Sequence, residues 1–314
     1  MVEARATLAV LATTVRMTST DAAPMVPHVA ALFVHPLKGA RALAVPTLAL
    51  DERGAVGDRR WMLVDPEGVA VTQREAPRLA LLHARPDGPL AAAATWEVPT
   101  LVLRAPDGRS HVAHAPDALP VHTVRVWDDL VPVHDAGDDA ATWCSDAVGV
   151  PCRLVRLAES ARRPLRAKYT GPLDPMGRHV ALSDGAPLLL LGEASVQTLN
   201  ERLMARGESP VPADRFRANV LLAGTAPHEE DTWRLVRLGA LTVGVGSPCP
   251  RCVVTTIDQA TAAGGVEPLR TLAEYRRQDG KVMFGVNATN ATVGVLRVGE
   301  AVEVVEWREG HGER

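Results

Sequence analysis

The sequence predicts a mostly β protein with flanking helices, organised as two barrel-like parts. Three observations predict it. Short apolar runs, many of them β-branched, alternate with Gly, Pro and Asp turns. Strands of that length, with turns every 8–12 residues, argue for sandwiches or barrels. Helical spacing breaks the pattern at three places. The 314 residues are enough for two domains at roughly 100–200 residues each and for substantial hydrophobic cores.

Residues 1 to about 25 are expected to lie outside the fold, as a disordered tail or an over-extended start with Met17 or Met25 as the true beginning. The segment is Ala/Thr-rich, and Glu3 suits a signal peptide poorly. From Val29 the strands begin. "HVAALFVHPL" is an apolar strand ending in a Pro turn, and "ALAVPTLAL" alternates before the Gly-rich turn "DERGAVGD". "RRWMLVDPEGVAVTQRE" reads as a hairpin about Asp65–Gly68, and "TLVLRAPDGRSHVAHA" as another about Pro106–Gly108.

The first helix is "DAGDDAATWCSDAVG", capped at Asp135 or Gly137 and stopped by Gly149 and Pro151. The second, "GEASVQTLNERLMARG", carries Ala194, Val196, Leu199 and Leu203 at helical spacing and ends at Gly207. The third is "EPLRTLAEYRR". Strands are expected in "ANVLLAG", "WRLVRLGALTVGVG", "CVVTTID" and "TVGVLRVGEAVEVVEW", the last as a Gly-Glu hairpin. The first helix is taken as the domain junction. An N-terminal β-barrel domain is expected over 26–135, a second domain over 136–308, and a tail over 309–314.

Composition narrows the function classes. A formal charge of -3 argues against a nucleic-acid binder, which would show a clustered basic excess. No apolar stretch reaches the ~18 residues a membrane helix needs. A cytoplasmic monomer is expected, with no nucleic-acid or membrane partner. Four cysteines in a chain this long do not suggest a disulfide framework. Cys144 and Cys152 read as small buried hydrophobes.

Cys249 and Cys252 form a C-x-x-C pair in "GSPCPRCVVTTID". A structural zinc site needs four ligands. No second such pair exists, and one histidine, His311, follows Cys252. A thioredoxin-like dithiol wants a helix N-terminus after the pair, whereas "VVTTID" is strand-like. Two buried structural cysteines remain an alternative. A single thiolate on a soft-metal cofactor fits better, with Arg251 next door favouring the ionised form. A phosphate-bearing cofactor would need basic residues in non-helical turns. Lys38-Gly39, Arg59 and Arg217 supply them, with Asn219 two residues beyond Arg217 and so on the same face of a strand. Each alone has a bland reading as a solvated surface residue. Asp184 can relay protons beside a metal-bound oxygen or simply cap the turn "SDGAP". His179 reads as structural.

Taken in order, "HPLKGARALAVPTLALDERGAVGDRRWMLVDPEGVAVTQREAPRLALL", "LSDGAPLLLLGEASVQTLN", "RFRANVLLAG", "EEDTWRLVRLGALTVGVGSPCPRCVVTTID", "PLRTLAEYRR" and "VMFGVNATN…GVLRVGEAVEVV" resemble a MOSC protein with its N-terminal MOSC β-barrel domain. The similarity is to the mitochondrial amidoxime-reducing component and to bacterial reductases of N-hydroxylated bases. It covers about Pro27 to Glu306.

The resemblance implies a molybdenum cofactor, Mo-molybdopterin, with Cys252 as the protein ligand to the metal and Cys249 as a neighbour. It places pterin and phosphate contacts on Lys38, Gly39, Arg59, Asp184, Gly185, Arg217, Asn219, Arg251 and Asn287. Departures exist. Gly39 stands where relatives often carry Ser, Ala218 where Pro is common, and Asn287 where an aromatic residue is frequent.

The implied activity is reduction of N-hydroxylated or N-oxide compounds, independent of pyridoxal phosphate, with Cys252 and Asp184 as catalytic residues. No cysteine follows Cys252. Electrons are therefore expected from a separate protein of the ferredoxin, flavoprotein reductase or cytochrome b5 type. The alternatives are persulfide transfer on Cys252 and non-catalytic carriage of the cofactor. The cofactor is expected between the two domains.

Overall fold

A computed structural model describes residues 26–87 and 99–309. The expected N-terminal tail lies outside the described residues, as does the C-terminal tail beyond residue 309.

The protein is mostly β, as the alternating runs predict. Its largest sheet has nine strands. Val302–Trp307, Trp233–Leu238, Leu241–Pro250, Lys281–Asn290, Leu188–Gly192, Val220–Ala223, His28–Val34 and Leu43–Val45 lie side by side in that order, and Arg277–Gln278 pairs with Lys281–Asn290. The ladder is an open path. A bridge between His28 and Ala301 brings its first strand back to the segment before its last.

Neighbours in this sheet are antiparallel except Leu188–Gly192 and Val220–Ala223, which run parallel. Parallel neighbours need a crossover. Helix Glu193–Ala205 (α2) supplies it. Accordingly "LLLLG" is buried at every position, the pattern of a strand covered on both faces. On α2, Val196, Leu199 and Leu203 are buried as expected, but Ser195 is buried in preference to Ala194. Its hydroxyl donates to both oxygens of the buried Glu230 carboxylate, at 2.8 and 3.0 Å.

A second sheet orders Trp61–Val64, Arg153–Leu157, Asp129–Asp135 and Val121–Val126. A third joins His83–Pro86, Thr100–Arg104 and Ser110–His114, and a fourth joins Gly294–Arg297, Thr47–Asp51 and Gly54–Ala55. Helix Asp138–Val148 (α1) begins at Gly137 and ends at Gly149 in the left-handed conformation. Its buried Ala140, Ala141, Cys144, Ala147 and Val148 form one stripe, and Ala140, Cys144, Ala147 and Val148 join the core of Trp61, Leu79, Leu101 and Leu154. Cys144 and Cys152 are both buried there as free thiols. Pairing crosses the expected junction near Asp135. The strand His28–Val34 lies beside Val220–Ala223, and Arg153–Leu157 beside Trp61–Val64.

Four expectations need correction. "RVGEAVEV" turns but is not a hairpin, because Gly294–Arg297 pairs with Thr47–Asp51 and Val302–Trp307 with Trp233–Leu238. The turn after Val64 forms, yet its return arm makes isolated bridges and no strand. "CVVTTID" is not a strand, since Val253–Thr256 is a 3-10 turn with Cys252 at its cap. β-branched residues adopt this turn because the Thr255 and Thr256 hydroxyls donate to the Cys252 and Val253 carbonyls, at 2.9 and 2.8 Å. Finally, Arg217 is not on a strand. It ends a 3-10 turn at φ 56, just before Val220–Ala223. The Pro106–Gly108 hairpin forms as read.

Candidate functional site

Strand ends and turns from both halves of the chain meet around a cleft of about 200 Å³. The ten residues assigned to the cofactor from the sequence all line it: Lys38, Gly39, Arg59, Asp184, Gly185, Arg217, Asn219, Arg251, Cys252 and Asn287. His179 is not among its walls.

The floor is a knot of buried polar groups. Lys38 follows the strand His28–Val34 in a turn whose next residue, Gly39, has φ 85, where a side chain would be strained. A Cβ there would also run into Leu79. Lys38 is buried, and its Nζ donates to the Leu182 carbonyl at 2.8 Å and to Asp184 Oδ1. Burial pulls Lys38 below the usual lysine range, and the Asp184 carboxylate opposes that pull. Asp184 is the converse. Desolvation works to raise it, but the Lys38 charge, its hydrogen bond and the Trp127 indole N–H hold the carboxyl well below the usual range.

Arg59 also sits at positive φ, 46°. Its guanidinium donates to Asp58, to Asn219 Oδ1 at 3.3 Å and to the Arg217 carbonyl at 3.2 Å. Asn219 is fully buried. It accepts from the Leu189 N–H at 3.2 Å and donates to the Phe33 carbonyl at 3.2 Å, tying three strands together. Asn287 donates to the Ser247 carbonyl at 3.1 Å. Gly185 is required by packing, because a Cβ there would collide with the Tyr169 ring.

Arg217 is the electrostatic anomaly. One arm donates to the Ala40 carbonyl at 2.7 Å, while Nη2 is buried without a hydrogen-bond partner. Burial and the neighbouring Arg59 pull its pKa down to about 9. Arginine stays charged in proteins, so the shift expresses a cation that the Asp58 and Asp184 carboxylates compensate only in part. Nε of Arg251 is likewise buried and unpaired. Such donors at a cleft wall suit an anionic group such as phosphate.

The cysteines divide the arginines between them in a way the sequence did not suggest. Arg251 donates to Cys249 Sγ at 3.1 Å and to the Phe216 carbonyl at 2.9 Å. It is Arg74 that reaches Cys252, with Nη2 3.1 Å from Sγ. The expectation that Arg251 serves Cys252 is thus corrected: the turn at Pro250 aims the Arg251 side chain back at Cys249. Among the described residues, no three His, Cys, Asp or Glu side chains gather into a metal site. A metal at Cys252 would need its other ligands from the group that carries it. The thiol, the unpaired guanidinium donors and the Gly39 turn fit a phosphate-bearing metal cofactor of that kind.

Sequence reasoning missed Arg74, Gln73, Tyr169 and Trp127. Gln73 donates to the Gly39 carbonyl at 2.6 Å and pairs with Gln259 at 3.0 Å. Polar residues just past a hairpin, in "VTQRE", were the available signal for Gln73 and Arg74. Trp127 offered none beyond its place in a Trp-Asp-Asp turn.

The family described as the MOSC N-terminal beta barrel domain matches residues 26–151, and the MOSC domain matches 177–303. Mitochondrial amidoxime-reducing component 1 of Mus musculus is 32% identical over 289 residues, 87% of this chain and 81% of that protein. The chain belongs to the MOSC family. This MOSC chain is also 30% identical to the molybdenum cofactor sulfurase of Oryza sativa subsp. japonica, over 82% of its own length and 32% of the sulfurase. It therefore spans about a third of that enzyme and about four fifths of the amidoxime-reducing component. The solved YUAD protein of Bacillus subtilis aligns over 89% of this chain and 95% of its own, at 10% identity and TM-score 0.39, too distant to carry an argument. No helix among the described residues is long and apolar enough to cross a membrane.

Proposed function

We propose that this MOSC protein is a molybdenum-cofactor-dependent oxidoreductase that reduces N-hydroxylated or N-oxide compounds, taking electrons from a separate donor protein. The observation that supports it most is the shared cleft: a cysteine thiol, two guanidinium groups that each carry a buried, unpaired N–H donor, and a Lys38–Asp184 pair face one space. The relatives named amidoxime-reducing components point the same way.

The bound cofactor would supply oxygen-atom and two-electron chemistry. The chain supplies the rest. Cys252 Sγ is the single protein ligand, and Arg74 Nη2 orients that sulfur. Arg217 Nη2 and Arg251 Nε take the anionic tail, with Lys38, Gly39, Arg59, Asn219 and Asn287 shaping the floor. Asp184 stays ionised against Lys38. Its carboxylate therefore orients the Lys38 ammonium, which burial pulls below the usual lysine range, as the proton donor at that place.

A second reading, persulfide transfer on Cys252, is favoured by the similarity to the cofactor sulfurase. One set of measurements separates them. The protein is purified from a host that makes molybdenum cofactor, beside Cys252→Ser, and assayed for metal and for benzamidoxime reduction by reduced methyl viologen. Molybdenum near one per chain, loosened in the variant, together with turnover supports the reductase. No molybdenum, with a sulfane adduct on Cys252 by mass spectrometry, supports sulfur transfer. Molybdenum without turnover leaves a cofactor carrier.

A further inference from the structure

Trp127 is held in a conformation its residue type disfavours. It opens the two-residue turn between Val121–Val126 and Asp129–Asp135, where Val126 pairs with Asp129. Its φ is 57, a left-handed value that such turns normally reserve for Asn or Gly. A bulky residue persists in such a conformation only when its surroundings over-determine it, and such strain gathers at functional sites. The surroundings here are two cleft residues. The indole Nε1–H donates to Asp184 Oδ1 at 3.1 Å, and the Arg74 guanidinium lies over the ring, 5.1 Å from its centroid. Yet half of the side chain, 50%, stays exposed. The turn places a large aromatic surface at the rim and leaves it open.

We infer that Trp127 is an aromatic platform for the substrate, selecting a planar aromatic compound that carries an N–H donor beside its N–O group. This rests on the reductase reading. Two further facts support it. Arg74 touches the indole with one end and Cys252 Sγ with the other, at 3.1 Å. With one C–N bond between those contacts, the ring centroid lies no more than about 10 Å from the sulfur, the span of a small aromatic molecule. The bonds from Lys38 and Trp127 both end on Asp184 Oδ1. Oδ2 of this 63% exposed side chain is left to accept an N–H from a molecule lying on the ring.

The test compares benzamidoxime with acetamidoxime, which share the reacting group and differ in the ring. The holoprotein is driven by reduced methyl viologen. In Trp127→Ala the preference, as the ratio of the two kcat/KM values, should fall about tenfold. In Trp127→Phe, which keeps a ring but loses the N–H, both rates should fall while the ratio stays within twofold. Equilibrium dialysis of benzamidoxime reads the platform without turnover, with Kd rising at least fivefold in Trp127→Ala. A ratio unchanged in Trp127→Ala would make the indole only a prop for Asp184 and would overturn the platform. An unchanged Kd would overturn it too. Wild-type protein that binds benzamidoxime through Trp127 but reduces neither compound would sink the reductase reading and leave the platform standing.

Discussion

Arg74 Nη2 stands 3.1 Å from Cys252 Sγ, although the two residues are 178 positions apart in the chain. A hydrogen bond from a charged donor contributes roughly 1.5–3 kcal/mol. Arg74→Gln should therefore lower turnover tenfold or more while molybdenum content stays near wild type, because Cys252, the proposed ligand, remains. Arg74→Lys should not restore the rate, since the same guanidinium also lies over Trp127 and an ammonium cannot replace that planar fork. Metal analysis beside steady-state kinetics checks both statements.

The two cysteines should separate cleanly. Cys252→Ser is expected to lose or loosen molybdenum. Cys249→Ser should keep it, because Cys249 Sγ is engaged by Arg251 and packs against the core of Phe216 and Phe284. Metal content per chain after gel filtration decides this, and equal loss in both variants would contradict the division.

Arg217 should trade stability against binding. Its Nη2 is buried and unpaired, and burial together with Arg59 outweighs the Asp58 and Asp184 carboxylates at this charge, so an apolar side chain removes a desolvation cost that exceeds the Coulombic gain. Arg217→Met in cofactor-free protein should melt at or above the wild-type Tm, whereas its retention of molybdopterin should drop severalfold. Calorimetry of the cofactor-free protein and pterin analysis of the loaded one give the two halves.

Glu230 predicts a pH dependence of stability that has nothing to do with the cleft. Burial, then the neighbouring Asp231, raises its pKa from 4.5 to about 7. An acid whose folded pKa is raised binds more protons folded than unfolded across that interval. Stability must then fall as pH climbs from about 4.5 to about 7, by at most roughly 3 kcal/mol from this group. Glu230→Gln should keep its bond to Ser195 and flatten that slope. Urea titrations at pH 5 and pH 7.5 measure it, and parallel slopes in both proteins would refute the assignment.

Gly185 gives a packing test. A methyl at this position meets the Tyr169 ring, and overpacking of this kind costs about 1–3 kcal/mol. Gly185→Ala should lower Tm by several degrees and cofactor content with it. Gly108→Ala, with nothing near its Cβ position but a positive φ that Gly185 lacks, should lower Tm while leaving the content unchanged.

What the chain determines by itself is local. Alternation and turn residues mark the Pro106–Gly108 hairpin. Glycines at both ends bound α1, and helical spacing marks α2. Basic residues in turns mark Lys38, Arg59 and Arg217, the C-x-x-C pair marks Cys252, and the resemblance along the chain adds Asp184 and assigns all five to one cofactor. The tertiary structure decided the rest. It sent the two arms of "RVGEAVEV" to different sheets, where Leu296 of one and Val302 of the other join the same core. It turned "VVTT" into a 3-10 turn through side-chain bonds that alternation does not register. It gave Cys252 the guanidinium of Arg74 and withheld that of Arg251, and it set Trp127 against Asp184. Periodicity compares residues two to four positions apart, whereas these contacts join residues 178 and 57 positions apart. Only folding, which is driven by burial of the cores beneath the cleft, brings them within a hydrogen bond of each other.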